Sequence, residues 1–404
     1  MSKSKIEISR REFICLMALL MSLVALSIDA LLPALAQIGS SIGVYNSNSN
    51  QLILSTIFLG IAVGVMFYGP YSDAYGRKKA IYLGISIFVL GSLFSLFSTN
   101  FTVMLIGRVC QGFGIASCRV VALAMIRDRC EGNEMARVMS LIMIVFIVVP
   151  TLAPSVGQII LQVASWRAIF GFILSLSLIS LLWLYFRQVE TLAKEKRRPF
   201  SIAVVISGIK ETWNNRQSRT YTIASGIIFG AFIGYLCSAQ QVLQIQYELG
   251  NLFSIYFGGL ALAIGLSSFI NAKLVMKFSM EILCIVSLLV HSMTSFLFFI
   301  YIQHLSSHPD LFTLLSYLAI TFFCFGILFG NFNAIALQSL GHIAGVATSV
   351  ISSMQTLISV MIGGAIGQSY DGTIQPLVFG FLLCGISTLL IIFYHKINVK
   401  QVSI

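Results

Sequence analysis

Three ionisable side chains in this sequence sit where water is expected to be absent. Asp29, Arg108 and Arg119 fall within long apolar runs, whereas nearly all the other charged residues fall between such runs. An ionised group in hydrocarbon is costly and usually faces a bundle interior or an aqueous cavity. Asp29 lies about seven residues from the outer end of its run and Arg108 about six from the outer end of another, so at 1.5 Å per residue both sit roughly 10 Å below one surface. At that depth the two side chains can meet. Arg119 follows Arg108 at a spacing that closes almost three helical turns, so both arginines share a face, with Arg119 roughly 16 Å deeper. Burial favours the neutral form of a carboxylate, and a neighbouring guanidinium favours the charged one. A solute entering between Asp29 and Arg108 would weaken the pair and change the affinity for a proton. The chemistry expected is therefore proton binding at Asp29, controlled by Arg108 and coupled to solute movement. Against this stands a purely structural ion pair and, for Arg119, a bond to helix-end carbonyls.

Other chemistries find little support. Asp29 is the only acid well inside an apolar run, and no His or Cys cluster has ligand spacing, so neither paired carboxylates nor a metal centre is expected. No Walker loop is present to bring in ATP. The eight cysteines include no Cys-x-x-Cys pair, and all but Cys130 fall in apolar runs, so they read as small packing residues without disulfides. An enzyme is not expected, nor any cofactor; the proton gradient is the expected energy source. A passive channel remains an alternative to a carrier.

These residues have to be positioned by membrane helices. Of 404 residues 57% are hydrophobic and 10% charged, against roughly 25% charged in ordinary soluble domains. A spanning helix needs about 20 apolar residues, and such runs occupy 13–36, 50–72, 80–98, 102–126, 136–163, 167–187, 220–246, 251–274, 280–303, 311–338, 344–369 and 374–395. Twelve spans are expected. The net charge of +11 is not spread as a nucleic-acid reader would need. Nearly all of the 25 Lys and Arg lie in alternate segments: Lys3, Lys5, Arg10 and Arg11; Arg77, Lys78 and Lys79; Arg127, Arg129 and Arg137; a cluster from Arg187 to Arg219; Lys273 and Lys277; Lys396 and Lys400. That alternation places both termini in the cytoplasm. Ser9-Arg10-Arg11-Glu12-Phe13 and Ala34-Leu35-Ala36 mimic an export signal and a cleavage site, but the run between them is too long for a signal core and carries Asp29 and Pro33.

The longest inter-span segment divides the chain into an N-terminal six-helix bundle (1–187), a basic cytoplasmic linker (188–219) and a C-terminal six-helix bundle (220–404). Within the linker, Ile202, Val205, Ile206, Ile209 and Trp213 recur at helical spacing, which reads either as an amphipathic helix on the inner membrane surface or as an unstructured connection. Well inside spans three, six and twelve there are no strongly polar residues, and span nine has only Gln303 at its edge. Every third helix is thus expected to face lipid as a support, and the others to line a polar midplane cavity between two repeats. Candidate cavity residues are Arg119, Gln111, Tyr235, Gln241, Asn331, Asn333 and Gln355, and the last five, in the second half, can equally serve as helix–helix hydrogen bonds. His291, in a supporting span, reads as a packing residue.

Three sequence motifs add to this. Gly69-Pro70-Tyr71-Ser72-Asp73-Ala74-Tyr75-Gly76-Arg77-Lys78-Lys79 fits G-x-x-x-D-x-x-G-R-[RK] without a gap. Its glycines suit a tight turn and close helix approach, and Asp73 can cap a facing helix end or pair with a cation. Arg108-Val109-Cys110-Gln111-Gly112 fits R-x-x-Q-G, and Pro150, Pro154 and Gly157 punctuate span five. Together the motifs resemble the major facilitator superfamily: the first its cytoplasmic signature, the second the span-four signature of its drug:proton antiporters. The third resembles the span-five antiporter signature G-P-x-x-G-G but reads Ala153-Pro154-Ser155-Val156-Gly157-Gln158, a departure that weakens the antiport direction. Asp29 with Leu32-Pro33, Arg127-Asp128, Trp166-Arg167 and Tyr370-Asp371-Gly372-Thr373 resemble the bicyclomycin/chloramphenicol-resistance (Bcr/CflA) branch.

The resemblance implies an all-α major facilitator fold of twelve helices in two halves, in a bacterial inner membrane. It implies a monomeric, proton-coupled multidrug efflux antiporter that confers antibiotic resistance, with Arg108 in proton coupling and Gly69, Asp73, Gly76, Arg77 and Lys78 in conformational control. Partners are protons, the bilayer and a small-molecule substrate. Arg119 is outside the general motif and points to an anionic or zwitterionic substrate, such as a carboxylate siderophore or an amino-acid-like metabolite. A proton-linked importer of a small organic anion or siderophore is the alternative.

Overall fold

A computed structural model describes residues 8–44, 46–130, 132–305 and 307–402. Lys3 and Lys5 lie outside the described residues, as do the side chains of Arg137 and Lys400. In hydrocarbon a backbone must satisfy its own hydrogen bonds, and the apolar runs accordingly form helices: α1 (Arg10–Asp29), α2 (Leu35–Ser41), α3 (Ser47–Asn50), α4 (Leu52–Tyr75), α5 (Arg77–Leu96), α6 (Phe101–Arg129), α7 (Gly132–Val163) and α8 (Arg167–Arg187). There follow α9 (Ile202–Asn214), α10 (Arg216–Ala239), α11 (Phe253–Leu274), α12 (Met280–Gln303), α13 (Leu311–Leu337), α14 (Ala344–Gln368) and α15 (Gln375–Val402). Among the described residues no strand is present. Side chains cap the helix starts where sequence allows: Asn100, Asn215, Ser279 and Asp310 each accept a bond from a backbone N–H three residues on, which satisfies a donor that no helical carbonyl can reach.

Among the described residues, eleven helices are long and apolar enough to cross a membrane. The expected fifth span coincides with α7, whose described apolar stretch, Ile147–Val163, is shorter than the rest. Two further departures are local. The expected first span does not run through: α1 stops at Asp29, a 3₁₀ turn covers Leu32–Ala34, and α2 resumes at Leu35. Pro33 explains the stop, because it has no N–H to bond the carbonyl four residues earlier, which is that of Asp29. The seventh span ends as a π-helix over Gln240–Gln246. The support pattern is followed unevenly, for α8 is the least enclosed span and α10 the most, but α11, not an expected support, is less enclosed than α12 or α15.

The chain forms two compact units, residues 1–45 with 56–205 and residues 46–55 with 206–404. The division falls inside α4 and inside α9, not at 187 and 219. In the first unit, α5 and α6 meet at glycines: a Cβ on Gly91 would stand 2.7 Å from the Gly107 carbonyl oxygen, and one on Gly114 would stand 2.4 Å from that of Gly84. A Cβ on Gly112 would stand 1.9 Å from the Ile57 carbonyl oxygen on α4. In the second unit, Gly226, Gly230 and Gly234 of α10 receive Ile358, Ile362 and Ile366 of α14, whose Cβ atoms would lie 2.8, 2.8 and 2.9 Å from an added Cβ. Small residues let membrane helices approach closely and gain dispersion contact.

Candidate coupling and substrate site

The Pro33 break sets the geometry around Asp29. Without a donor from residue 33, α1 ends there, and α7 packs onto the exposed backbone: a Cβ on Gly157 would stand 1.9 Å from the Ala30 carbonyl oxygen. The Pro154-to-Gly157 stretch is therefore seated against the α1 stop. Asp29 is 6% exposed and Arg108, on α6, is completely buried. Arg108 reaches α1 directly, its Nη2 donating to the Ser27 carbonyl at 3.0 Å. Its Nη1 donates to Gln111 Oε1 at 2.8 Å, and Gln111 Nε2 donates to Ser92 Oγ on α5 at 2.8 Å. The two charged residues thus lie beside the same turn of α1. Among the ion pairs within 4 Å between described residues none joins Asp29 to Arg108, although their expected depth allows the two side chains to meet. The carbonyls at a helix end are the electronegative pole of its dipole, which gives a guanidinium a partner other than a carboxylate. Arg119, which shares the α6 sequence period with Arg108, differs from it in being exposed.

The motif residues Gly69 to Lys78 build a charged cluster at the α4–α5 junction. Gly76 has φ of 103°, a conformation costly for any residue with a Cβ, and a Cβ there would also strike the Glu190 carboxylate. Glu190 accepts the backbone N–H groups of Arg77 (2.9 Å) and Lys78 (3.1 Å), so it caps α5, whose own N-cap residue has no side chain. The Arg77 guanidinium donates from Nε to Asp128 (2.9 Å) and from Nη1 to Ser72 (2.8 Å) and to Asp73. Lys78 Nζ donates to the Gln188 carbonyl. Asp73 therefore pairs with the arginine four residues on in its own motif.

The candidate residues of the second unit make the following contacts. Asn331 exchanges two side-chain bonds with Asn271 of α11, at 3.0 and 3.2 Å. Asn333 donates to the Phe329 carbonyl of its own helix. Gln355 is 9% exposed, and its carbonyl accepts from Ser359 Oγ. Gln241, in the π-helix, accepts from Gln51 and donates to Asn48 Oδ1 at 2.9 Å. Tyr235 is buried, stacked on Phe257 and edge-on to Phe322. His291 Nε2 donates to the Phe381 carbonyl at 3.0 Å, between α12 and α15. A polar groove of about 500 Å³ lies elsewhere, lined by Lys210 and Glu211 of α9 and by His342, which pairs with Glu211.

The superfamily model described as Major Facilitator Superfamily matches residues 17–364. The chain belongs to the Major Facilitator Superfamily. It is a multi-pass membrane transporter and not an enzyme. The chain is 29% identical to an uncharacterized MFS-type transporter, YdgK, of Bacillus subtilis over 87% of each chain. It is 27% identical to a bicyclomycin resistance protein homolog of Haemophilus influenzae over 96% of this chain and 97% of that one. It is 35% identical to the multidrug resistance protein MdtL of Vibrio parahaemolyticus over 40% of each. These relatives agree with the Bcr/CflA branch. The fold matches the xylose transporter XylE from E. coli with a TM-score of 0.70 over 95% of this chain and 97% of that one, at 14% identity.

Set within that superfamily, the site contains residues that counting strongly polar side chains passes over. Ser27 and Ser92 both contact the Arg108 network, and a serine in an apolar run carries no mark of such a role. Asn48 precedes the second apolar run and Gln51 lies at its very start, so neither stands well inside a span. Asp128 and Glu190 complete the α4–α5 cluster from other helices and loops. Phe229, Phe232 and Phe329 form a half-buried aromatic surface with centroids 5.4–5.9 Å apart, on α10 and α13. The signal for that surface is the four-residue period of Phe325 and Phe329 and the three-residue step from Phe229 to Phe232.

Proposed function

We propose that this transporter is a proton-coupled antiporter that exports a small molecule by alternating access. In this reading it has twelve spans, with α7 as the fifth of them, and both termini lie on the cytoplasmic side of a bacterial inner membrane. It works as a monomer, with no cofactor and no nucleic-acid partner; the proton gradient supplies the energy. The observation that carries the proposal is the wholly buried Arg108 bonded to the α1 backbone at Ser27, two residues from Asp29, at a helix stop. Asp29 binds the proton and Arg108 answers its change of charge. When Asp29 is protonated, Arg108 rests on Ser27 and Gln111. When Asp29 loses its proton, the carboxylate competes for the guanidinium, and substrate displaces one from the other.

Recognition is assigned to Arg119, Gln111, Tyr235, Gln241, Asn331, Asn333 and Gln355, with the Phe229, Phe232 and Phe329 surface added for an apolar moiety. Gly69, Asp73, Gly76, Arg77 and Lys78 set the conformational balance, and Pro150, Pro154 and Gly157 hold α7 against the α1 stop. The names of the relatives make bicyclomycin the first substrate to test, and the exposed Arg119 adds carboxylates to the panel. In proteoliposomes with an imposed pH gradient, wild-type protein is expected to drive substrate uphill with proton counterflow, and Asp29→Asn to retain binding but lose coupling. Unchanged substrate-driven proton flux in Asp29→Asn would refute the assignment. The exposed cation at Arg119 also suits a proton-linked importer of a small organic anion or siderophore. Counterflow with the gradient reversed separates import from export.

A further inference from the structure

The helix that contributes α5 has no strongly polar residue in its apolar run, and it reads as a mere support. Its Ser92 is nevertheless wholly buried and bonded to the Arg108 network. The close approach comes from the neighbouring residue: a Cβ on Gly91 would stand 2.6 Å from the Gln111 backbone nitrogen, so only a glycine lets α5 come near enough for Ser92 to reach Gln111.

The directions of these hydrogen bonds are fixed by chemistry. A guanidinium only donates, so Gln111 must present its Oε1 to Arg108 and its amide N–H₂ elsewhere. The Ser92 hydroxyl hydrogen is committed to the Phe88 carbonyl at 2.7 Å. Ser92 Oγ is therefore an acceptor toward α6, and the Gln111 N–H₂ is the donor it receives. Without Ser92 that amide loses an acceptor in a buried setting, and a buried unsatisfied donor costs more than a missing bond. Gln111 then gains by turning away to find another acceptor, and in doing so it takes its oxygen off Arg108.

Granting the coupling reading of Asp29 and Arg108, on which this inference rests, we infer that Ser92 is a positioning residue for proton coupling. It acts through Gln111, by making the rotamer that holds Arg108 the one in which every polar atom of the amide is used. The residue touches neither proton nor substrate.

The test compares side chains of one shape. Threonine and valine at position 92 differ by a hydroxyl against a methyl, so a packing role treats them alike. Purified full-length protein in lipid vesicles is titrated by infrared difference spectroscopy, with the Asp29 carboxyl band assigned by its absence in Asp29→Asn. Ser92→Val is expected to move the midpoint of that band by about fivefold in proton affinity, the size of one ordinary hydrogen bond, which is about 0.7 pH unit. Ser92→Thr is expected to stay at the wild-type midpoint. In a Gln111→Glu background, where the side chain accepts from Arg108 and has no N–H₂ to satisfy, Ser92→Val is expected to move nothing. Equal midpoints for Ser92→Thr and Ser92→Val, or an equal effect of Ser92→Val in both backgrounds, overturn the inference. The vesicle flux assay of Asp29→Asn reports separately on the coupling reading, because it contains no change at Ser92.

Discussion

Well inside its spans the first unit carries charged side chains, and the second unit carries neutral amides. Asp29, Arg108 and Arg119 all belong to the first unit, as does the Asp73–Arg77–Asp128 cluster. In the second unit, Asn271 pairs with Asn331, and Gln241 is held by Asn48 and Gln51; Asn48 also donates to the carbonyls of Gln368 (3.0 Å) and Tyr370 (2.8 Å). The glycines differ in the same sense. Gly91, Gly112, Gly114 and Gly157 of the first unit press on backbone oxygens, which cannot move without moving a helix, while Gly226, Gly230 and Gly234 of the second press on isoleucine side chains. A charge site needs a rigid frame, because a small displacement of a guanidinium in low dielectric changes its energy greatly. Neutral amides and repackable isoleucines tolerate adjustment.

The largest expected effect tests the backbone contacts. Gly112→Ala should cost more than 3 kcal/mol in the thermal unfolding of detergent-solubilised protein, at or beyond the upper end of ordinary overpacking, and no single side-chain truncation on α4 should recover it, since the clash is with the Ile57 carbonyl. Next comes Arg77→Ala, expected to cost about 3 kcal/mol by leaving the Asp128 carboxylate without its partner, and read by the same unfolding measurement; Asp128→Asn should cost less. Gly230→Ala in the second unit is expected to cost about 1–2 kcal/mol, with Ile362→Ala in the same chain restoring most of it. Should Gly230→Ala prove as damaging as Gly112→Ala and resist that rescue, the contrast between the units is broken. Smaller again is Asn331→Leu, about 0.6 kcal/mol, the mean found for polar contacts between membrane helices.

The smallest effect concerns pH at the start of α13. Hydrogen bonds from the Thr313 side chain and backbone hold the Asp310 carboxyl below its ordinary value. A depressed value means that the cap contributes at neutral pH and is lost as acid protonates the folded form. Exchange of the Thr313 amide hydrogen should therefore quicken in acid in the wild type beyond its intrinsic rate, and Asp310→Asn, which still caps, should flatten that dependence.

The sequence made the membrane class plain because hydrocarbon leaves few options for 20-residue apolar runs. It also located the three charges within spans, because an ionised residue in such a run stands out and its depth follows from the helical rise. Pro33 lies inside the apolar run that reads as one continuous first span, so the α1 stop was not foreseen; its position depends on which carbonyl the missing N–H would have met. Ser92 was invisible because serine is common in apolar helices, where its hydroxyl usually bonds its own backbone, and only the Gly91 contact shows that this one does more. The pairing of Asn331 with Asn271 was equally hidden, since a lone amide in a span reads the same whether it faces a neighbour or a solute. The π-helix at Gln240–Gln246 leaves no composition mark that separates it from an α-helix.

The stop at Asp29 has a consequence for how this transporter can be broken. Most damaging substitutions remove an interaction, but Pro33→Ala would add one. An alanine supplies the N–H that proline lacks, and the Asp29 carbonyl would take it, joining α1 to the turn that follows. Activity would then be lost in a protein that unfolds at a higher temperature than the original. What Pro33 contributes is a forbidden hydrogen bond, and the opening it leaves in the backbone is where carboxylate and guanidinium come to share a turn.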